Sequence, residues 1–231
     1  MKCIVLAAGR GTRMLPLTAD KPKHMILVDG RPFVDYIIES LQKAGITEIA
    51  FVVSYRKDVL ESYLSEKYPD VVTIDQRGAK GTGHAVLAAQ EFVGNEPFVA
   101  LMGDNLYSPR DIKTVAYAKQ NVVAGFEVDN PSLYGVLVVA GTRLDSIVEK
   151  PKDPPSRMIN TGLYKFTPEI FDELVRIKLS PRGEYELTDA INALAAQGKC
   201  GFYKLKDYWI DFGKPEDVKK VEKFLRKLKN G

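Results

Sequence analysis

Short apolar runs alternate with amphipathic stretches along the first half of the chain. The runs predict buried strands at residues 3–7, 49–54, 71–75 and 98–102. Between the strands, apolar residues recur at helical spacing on two faces, formed by Phe33, Tyr36, Ile37 and Leu41 and by Ala85, Ala88, Ala89 and Phe92. This alternation predicts βαβ units with right-handed crossovers. Uninterrupted apolar strands are typical of a sheet covered on both faces, so the sequence predicts an α/β fold with a mainly parallel central sheet.

The second half keeps strands and helices but changes their order. Its apolar runs predict strands at residues 122–128, 134–140, 145–149 and 162–166. Helices are predicted at residues 168–178, at residues 186–197 with Gly198 as the C-cap, and after Pro215. The proline-rich residues 150–155 predict a loop. Because the sequence has no low-complexity linker and no internal repeat, residues 1–231 are predicted to form one domain.

Composition excludes several classes of protein. The chain is 45% hydrophobic and 27% charged, with a net charge of +3, as in an ordinary soluble protein. The densest basic stretch, from Lys219 to Lys229, alternates with apolar residues and predicts a solvated helix face, so no nucleic-acid partner is expected. Cys3 and Cys200 are far apart, and no apolar run is long enough for a signal peptide or a membrane span. The sequence therefore predicts a reduced, cytoplasmic protein with no membrane partner.

A glycine-rich segment follows the first predicted strand. Gly9 and Gly11 predict a turn whose backbone amides can approach phosphate oxygens. A dinucleotide fingerprint would need a third glycine where Met14 stands, which disfavours a Rossmann oxidoreductase, and the P-loop pattern is absent from the sequence. The loop instead carries Arg13, and Lys23 follows ten residues later. Two cations beside a phosphate cradle suit a triphosphate and the charge that develops when it is cleaved.

The run LAAGRGTRMLPLTADKPK, from Leu6 to Lys23, resembles the signature of the sugar nucleotidylyltransferase family, LAAGxGTRxxPLTxxxPK. The resemblance implies a Rossmann-like three-layer nucleotidyltransferase fold. It implies an enzyme that joins a sugar 1-phosphate, of glucose or N-acetylglucosamine type, to UTP or dTTP with Mg²⁺ and releases pyrophosphate. Residues 1–120 would form mainly the nucleotide-binding half, and residues 121–231 mainly the sugar-phosphate-binding half.

The same resemblance assigns roles near the nucleotide. It implies that Arg13 contacts the leaving pyrophosphate and that Lys23 stabilises the attacked α-phosphate. The implied nucleotide-binding residues are Leu6, Ala8, Gly9, Gly11, Thr12, Gln76, Gly81 and Thr82. A side-chain amide donates and accepts at once, so Gln76 can pair with the imide edge of uracil or thymine.

Two aspartates are candidate metal ligands. Asp104 lies in a Gly-Asp-Asn triplet at the carboxyl end of the strand at residues 98–102, where a carboxylate is a natural Mg²⁺ ligand. Asp211, in the sequence WIDFG, resembles the second metal aspartate of the family. The two are far apart in sequence, and only the resemblance implies that they act as a pair.

The sugar phosphate is assigned to the second half. The segment EKP resembles a family motif in which Glu149 accepts hydrogen bonds from sugar hydroxyls and Lys150 holds the phosphate. Gly135 resembles the glycine that contacts the sugar. Asn160 and Thr161 resemble the segment that closes the sugar pocket.

Several alternatives stay open. The segment GTGHA is similar to uridylyltransferases acting on N-acetylglucosamine 1-phosphate, whereas GDN and WIDFG are similar to glucose-1-phosphate thymidylyltransferases. An amide can turn to suit cytosine, so a cytidylyltransferase acting on a polyol phosphate is an alternative, as is a non-catalytic protein that binds nucleotide sugars. The sequence also leaves open whether the protein forms a homo-oligomer. The β-helix acyltransferase domain of some relatives is not expected in this chain of 231 residues.

Overall fold

The computed structural model describes residues 1–78 and 80–230. The strands are β1 (Lys2–Leu6), β2 (Leu27–Val28), β3 (Arg31–Pro32), β4 (Glu48–Val53), β5 (Val72–Asp75), β6 (Phe98–Met102), β7 (Asn105–Tyr107), β8 (Asn121–Glu127), β9 (Gly135–Ala140), β10 (Arg143–Glu149), β11 (Met158–Phe166), β12 (Cys200–Lys204) and β13 (Trp209–Asp211). The helices are α1 (Phe33–Lys43), α2 (Lys57–Lys67), α3 (Thr82–Ala88), α4 (Gln90–Val93), α5 (Pro109–Ala116), α6 (Glu169–Arg176), α7 (Leu187–Ala196) and α8 (Asp217–Asn230).

The central sheet has nine strands in the order β5-β4-β1-β6-β11-β8-β12-β10-β9. β1 pairs in parallel with β4 and β6, and β4 pairs in parallel with β5. β11 and β10 are antiparallel to their neighbours and run against the other strands of this sheet. The prediction of a mainly parallel sheet is confirmed. The parallel strands β1, β4 and β6 bring their carboxyl ends to one edge, which is where open α/β sheets bind ligands.

Helices cover both faces of the sheet. Alternate residues of β1 point to opposite faces, so Cys3 and Val5 belong to one apolar core and Ile4 and Leu6 to the other. The first core includes apolar residues of α1, α2, α5 and α8, and the second includes those of α3, α6 and α7. This arrangement is the three-layer α/β fold that the sequence predicts. In residues 1–78 and 80–230, no helix has both the length and the apolar character needed to cross a bilayer.

Some predicted elements differ in the structure. The apolar face through Ala85, Ala88, Ala89 and Phe92 was predicted to be one helix, and this is wrong. The amide of Ala89 bonds back to the Val86 carbonyl three residues earlier, and this tighter turn separates α3 from α4. β11 begins at Met158, four residues before the predicted strand, because its early residues pair with β8. The proline-rich residues 150–155 do form the loop between β10 and β11.

A two-stranded sheet of β7 and β13 connects the fold to the site. The buried carboxylate of Asp111 in α5 supports the chain that enters β13. Its oxygens accept hydrogen bonds from the backbone amides of Lys206 and Asp207, both at 3.0 Å, and from the Tyr203 hydroxyl at 3.0 Å. The Ser108 hydroxyl bonds to the same carboxylate at 3.1 Å. One side chain therefore fixes the start of the segment that leads to Asp211.

We expect Asp111→Asn to lower the free energy of unfolding by about 3 kcal/mol, because an amide group would turn a donor towards buried donors. Denaturant unfolding measures this change. Asp145→Asn is the matched control, since Asp145 is partly exposed and, among the described residues, its carboxylate forms an ion pair with Arg143 alone, at 2.8 Å on the surface. Equal stability of the two variants would contradict the role given to Asp111.

Candidate active site

The glycine-rich loop leaves β1 at the carboxyl edge of the sheet. Gly11 adopts a left-handed backbone conformation, with φ of 63°, that disfavours a side chain. Its carbonyl oxygen accepts a hydrogen bond from the Thr18 hydroxyl at 2.9 Å. Met14, which stands where a dinucleotide fingerprint needs its third glycine, is buried in the core. The side chain of Met14 therefore anchors the loop in the core. A dinucleotide-binding turn would have a glycine at this position and would lack this anchor.

Two adjoining cavities lie at this edge, one of about 610 Å³ and one of about 220 Å³. Thr82, Met102 and Glu184 line both. The predicted site residues that line the smaller cavity are Leu6, Ala8, Gly9, Lys23, Gln76, Gly81 and Thr82. Those that line the larger cavity are Thr12, Arg13, Thr82, Asp104, Gly135, Glu149, Lys150, Asn160, Thr161 and Asp211. Gly11 serves the turn and is not among the described residues that line these two cavities.

Lys23 and Asp104 form an ion pair where the two cavities meet. Lys23 begins a short 3-10 helix (Lys23–Met25), and its ammonium contacts the Asp104 carboxylate. The lysine lines the smaller cavity and the aspartate lines the larger one. Burial raises the pKa of Asp104, but the nearby Lys23, together with His24 and Arg13, outweighs burial and holds the pKa below its ordinary value. Asp104 is therefore an anion at neutral pH.

Asp211 lies beside Asp104 although 107 residues separate the two in sequence (211 − 104). β13 pairs with β7 so that Asp211 is opposite Asn105, and the Phe212 amide donates to the Asp104 carbonyl at 2.8 Å. Burial, Asp104 and Asp217 raise the pKa of Asp211, and Arg13 and Lys23 oppose the rise. Two carboxylates are thus crowded at one point, and their pKa values are displaced in opposite directions.

The aspartate pair has the chemistry of a divalent-cation site. Carboxylate oxygens are hard ligands, and a Mg²⁺ ion is commonly held by one or two of them, with phosphate oxygens and water completing its shell. Across residues 1–78 and 80–230, no cluster of three or more histidines, cysteines, aspartates or glutamates could hold a metal by itself. The residues present therefore fit a cation that is shared with a phosphate substrate.

The far end of the larger cavity combines a carboxylate with a cation. Gly135 and Glu149 face each other across β9 and β10, and a methyl group on Gly135 would lie 3.1 Å from the Glu149 carboxylate. The Lys150 ammonium lies 3.8 Å from that carboxylate, and both side chains remain partly exposed. The backbone of Lys150 has a positive φ of 41°, and its amide donates to the Tyr134 carbonyl at 3.0 Å. Both side chains can therefore reach a ligand in the cavity.

Asn160 and Thr161 are more constrained than the sequence suggests. The Asn160 amide nitrogen donates to the Tyr164 hydroxyl at 2.8 Å, and its oxygen accepts from the Gly162 amide at 3.0 Å. One amide hydrogen and one lone pair of Asn160 remain for a ligand. The buried Thr161 hydroxyl donates its hydrogen to the Ala124 carbonyl at 2.8 Å, so it has only lone pairs left to offer.

Comparison with known proteins decides the family. A family profile described as nucleotidyl transferase matches residues 2–227 of the 231. The chain belongs to the nucleotidyl transferase family. It is 38% identical over 227 residues to a bifunctional sugar-1-phosphate nucleotidylyltransferase/acetyltransferase of Sulfurisphaera tokodaii, covering 97% of this chain and 55% of that one. The chain therefore spans about half the length of that relative.

Other relatives of this nucleotidyl transferase match along their whole length. It is 35% identical over 236 residues to the UTP–glucose-1-phosphate uridylyltransferase AglF of Haloferax volcanii, covering 98% of this chain and 97% of that one. Among solved structures, a UDP-glucose pyrophosphorylase complexed with UDP-glucose is similar, with a TM-score of 0.86, 29% identity and 98% coverage of both chains. The fold is therefore the Rossmann-like nucleotidyltransferase fold.

Sequence reasoning missed several charged residues of this nucleotidyl transferase. Arg182, Glu184 and Glu186 line the larger cavity from the loop between α6 and α7. The Arg182 guanidinium pairs with the Glu186 carboxylate at 2.9 Å, and the loop binds the start of α3 through the Gly83 amide and the Tyr185 carbonyl at 2.8 Å. A signal was present, because Arg182 and Glu184 lie just before the helix predicted at residues 186–197 and Glu186 begins it. Nothing local shows that this loop folds back over the nucleotide side.

His24 is a further buried group at the site. Its ring is fully buried, and neither nitrogen has a hydrogen-bond partner among the described residues. A methyl group added to Gly103 would lie 2.8 Å from its Nε2, so the ring packs directly against the turn that carries Asp104. Burial, with help from Lys23 and against Asp104, lowers the pKa of His24 to about 3. His24 is therefore neutral in the folded protein across the ordinary pH range.

This lowered pKa predicts acid lability. The unfolded chain binds a proton on His24 below pH 6.5, whereas the folded chain binds it only near pH 3, so stability falls as pH falls through this window. We expect a loss of about 2 kcal/mol from this group between pH 7.5 and pH 5. Denaturant unfolding of His24→Leu should show a correspondingly shallower pH dependence than the wild type. An unchanged pH dependence would contradict the assignment.

Proposed function

We propose that this nucleotidyl transferase joins a sugar 1-phosphate, of glucose or N-acetylglucosamine type, to UTP or dTTP and releases pyrophosphate. The observation that carries the proposal is the Lys23–Asp104 ion pair at the junction of two cavities. The smaller cavity has the size and the amide group for a base, and the larger has the carboxylate and cation for a sugar phosphate. The new bond between the nucleotide and the sugar phosphate would form where the two cavities meet.

The reaction proposed is an in-line displacement at the α-phosphorus. An oxygen of the sugar phosphate forms a new bond to that phosphorus, and the bond to the bridging oxygen of the β-phosphate breaks. The attacking oxygen is already an anion, so no side chain needs to remove a proton. Catalysis then consists of positioning and charge neutralisation. Lys23 would stabilise the α-phosphate, and Arg13 would hold the departing pyrophosphate.

Asp104 and Asp211 are proposed to hold Mg²⁺. A bound Mg²⁺ would neutralise phosphate charge and help to fix the orientation of the phosphates. The Asp104 carboxylate contacts the Lys23 ammonium, so a phosphate that enters the junction would compete with this carboxylate for the same ammonium. The raised pKa of Asp211 means that a proton competes for this carboxylate as pH falls.

The sugar phosphate is assigned to the opposite wall. Lys150 would hold its phosphate, and Glu149 would accept hydrogen bonds from sugar hydroxyls beside Gly135. Asn160 would contribute one donor and one acceptor, and Thr161 an acceptor only. We propose one domain with residues 1–120 serving mainly the nucleotide and residues 121–231 mainly the sugar phosphate. Asp211, placed beside Asp104, is the clear exception to that division.

The names of the relatives support glucose as a candidate sugar, whereas N-acetylglucosamine is proposed from the segment GTGHA alone. One similar protein is named a UTP–glucose-1-phosphate uridylyltransferase, and a similar structure is a putative glucose-1-phosphate thymidylyltransferase from Bacillus anthracis. Cys3 and Cys200 are both free and buried, which agrees with the proposal of a reducing, cytoplasmic location. Nucleic acid and membrane surfaces are not proposed as partners.

A pyrophosphate-release assay tests the proposal. UTP, dTTP, CTP, ATP and GTP are crossed with the 1-phosphates of glucose, N-acetylglucosamine and mannose and with inositol phosphate, in the presence of Mg²⁺. We expect release that requires both substrates and is strongest with UTP or dTTP and a glucose-type sugar. Absence of release from every pair, in a protein that still binds a nucleotide sugar, would refute catalysis and indicate a sensor.

A further inference from the structure

The amide of Gln76 is held inside the protein at the wall of the smaller cavity. The side chain is 3% exposed. Its nitrogen Nε2 donates to the Gly81 carbonyl at 2.9 Å and lies 3.3 Å from Nδ1 of His84. A primary amide has two hydrogens on nitrogen, and these two contacts account for both. Gln76 can therefore form a hydrogen bond to a base in the cavity only through its carbonyl oxygen.

His84 can accept the second hydrogen only in one form. The residue lies in the first turn of α3, and its ring stacks on Tyr185 with 6.4 Å between ring centroids. Burial and the neighbouring Lys80 lower the pKa of His84, so the ring is neutral at neutral pH. A neutral imidazole has one nitrogen that accepts and one that donates. Because Nδ1 faces an amide nitrogen, Nδ1 is the acceptor and the hydrogen is on Nε2.

These contacts prevent the amide from turning over. In the reverse orientation, the Gln76 oxygen would face the Gly81 carbonyl and that buried hydrogen bond would be lost, and the contact with His84 would be kept only if the imidazole moved its hydrogen from Nε2 to Nδ1. A fixed carbonyl oxygen complements a base that carries a hydrogen on its ring nitrogen. Uracil and thymine carry that hydrogen on N3. Cytosine presents a lone pair at the same position, so its N3 would face the Gln76 oxygen without a hydrogen between them.

We propose that His84 is a positioning residue that sets base specificity by holding the Gln76 amide with its oxygen towards the base, so that UTP or dTTP is selected over CTP. The inference rests on the proposed function, since it concerns the nucleotide of that reaction. UTP and CTP have rings of the same size and differ only in the hydrogen on N3 and the group on C4, so their comparison tests the donor and acceptor pattern at this edge of the base. The Gly81 carbonyl remains in any variant at position 84, so loss of His84 removes only part of the constraint.

Asparagine and leucine provide a matched pair of substitutions at position 84. Asparagine can place Oδ1 where Nδ1 lies and so keeps an acceptor, whereas leucine has the same branched shape and no acceptor. We expect the wild type to prefer UTP over CTP in kcat/KM by at least about a hundredfold. We expect His84→Leu to reduce this ratio about tenfold, the effect of one weakened hydrogen-bond constraint, and His84→Asn to stay close to wild type.

The ratio of UTP to CTP separates specificity from simple packing. A loss of stacking on Tyr185 would affect the leucine and asparagine variants alike, so an equal change of the ratio in both overturns the proposal. So does an unchanged ratio in His84→Leu. A wild type that prefers CTP overturns the amide orientation and the nucleotide named in the proposed function, while the in-line displacement at the α-phosphorus stands. If no pair releases pyrophosphate, the proposed reaction fails, and calorimetric binding of UTP and CTP to the same three proteins tests His84 independently.

Discussion

Lys23→Ala is expected to lower kcat by about a hundredfold to a thousandfold, the range found when one preorganised charge-stabilising donor is removed from an active site. The ammonium of Lys23 is the cation at the junction of the two cavities, where charge would develop on the α-phosphate. The apparent KM for the nucleotide should change less than kcat, because the base and the remaining phosphates keep their contacts. Steady-state kinetics at saturating substrate measures both.

The control for Lys23→Ala is Lys21→Ala. Lys21 lies two residues earlier in the same loop and is not among the described residues that line either cavity, so its removal makes the same change in charge away from the junction. Removing Lys23 also leaves the buried Asp104 without its partner, which lowers stability. Thermal unfolding therefore accompanies the kinetics, and Lys23→Met repeats the test with most of the aliphatic stem retained. A folded Lys23 variant with near-normal kcat would remove this residue from the mechanism.

Asp211→Asn is expected to raise the Mg²⁺ concentration needed for half-maximal activity by about tenfold or more, since it would remove one of the two anionic ligands proposed for the metal. Asp104→Asn should do the same and also lower kcat at saturating Mg²⁺, because Lys23 would lose the carboxylate that positions its ammonium at the junction. A Mg²⁺ titration of the reaction rate measures both effects.

Asp20→Asn provides the control for the aspartate variants. Asp20 is exposed in the loop that follows the glycine-rich turn and lines neither cavity among the described residues. Its variant should titrate with Mg²⁺ as the wild type does. Asp104 and Asp211 variants that also titrate like the wild type would show that the metal is held elsewhere.

The nucleotide side of the site could be predicted because it follows from strand order. Parallel strands end at a common edge, so a glycine loop after β1 and a Gly-Asp-Asn turn after β6 must lie close together. Apolar runs located these strands correctly because they are buried on both faces. The phosphate site then follows from the residue types in the loop. Gly9 allows backbone amides to approach phosphate oxygens, and Arg13 and Lys23 supply the positive charge beside them.

The pairing of Asp104 with Asp211 could not be derived in this way. It depends on the short ladder between β7 and β13, two strands of three residues that carry little periodic signal. α2 was missed for a similar reason, since only Leu60 and Leu64 of that helix are buried and its apolar face is narrow. The roles of Arg182 and Glu184 depend on a loop that folds back to meet α3, which no local pattern encodes.

The hydrogen-bond partners of the polar side chains also could not be predicted from the sequence. The sequence predicts that Gln76 donates to a base and accepts from it at once, but both of its amide hydrogens are directed at Gly81 and His84, so only its oxygen is left for a base. The sequence left this amide free to turn, and a tertiary contact fixes it. Thr161 is likewise restricted by a bond to the Ala124 carbonyl on β8.

Isotope transfer from the sugar phosphate tests the central claim most directly. The wild type is incubated with Mg²⁺, the nucleotide that gives the most pyrophosphate, and a sugar 1-phosphate labelled with ¹⁸O in its phosphate group. The account predicts a nucleotide sugar that retains all of the label, with ¹⁸O in the oxygen that joins the two phosphorus atoms, and unlabelled pyrophosphate. Label in the pyrophosphate, or consumption of nucleotide without a labelled nucleotide sugar, would contradict it.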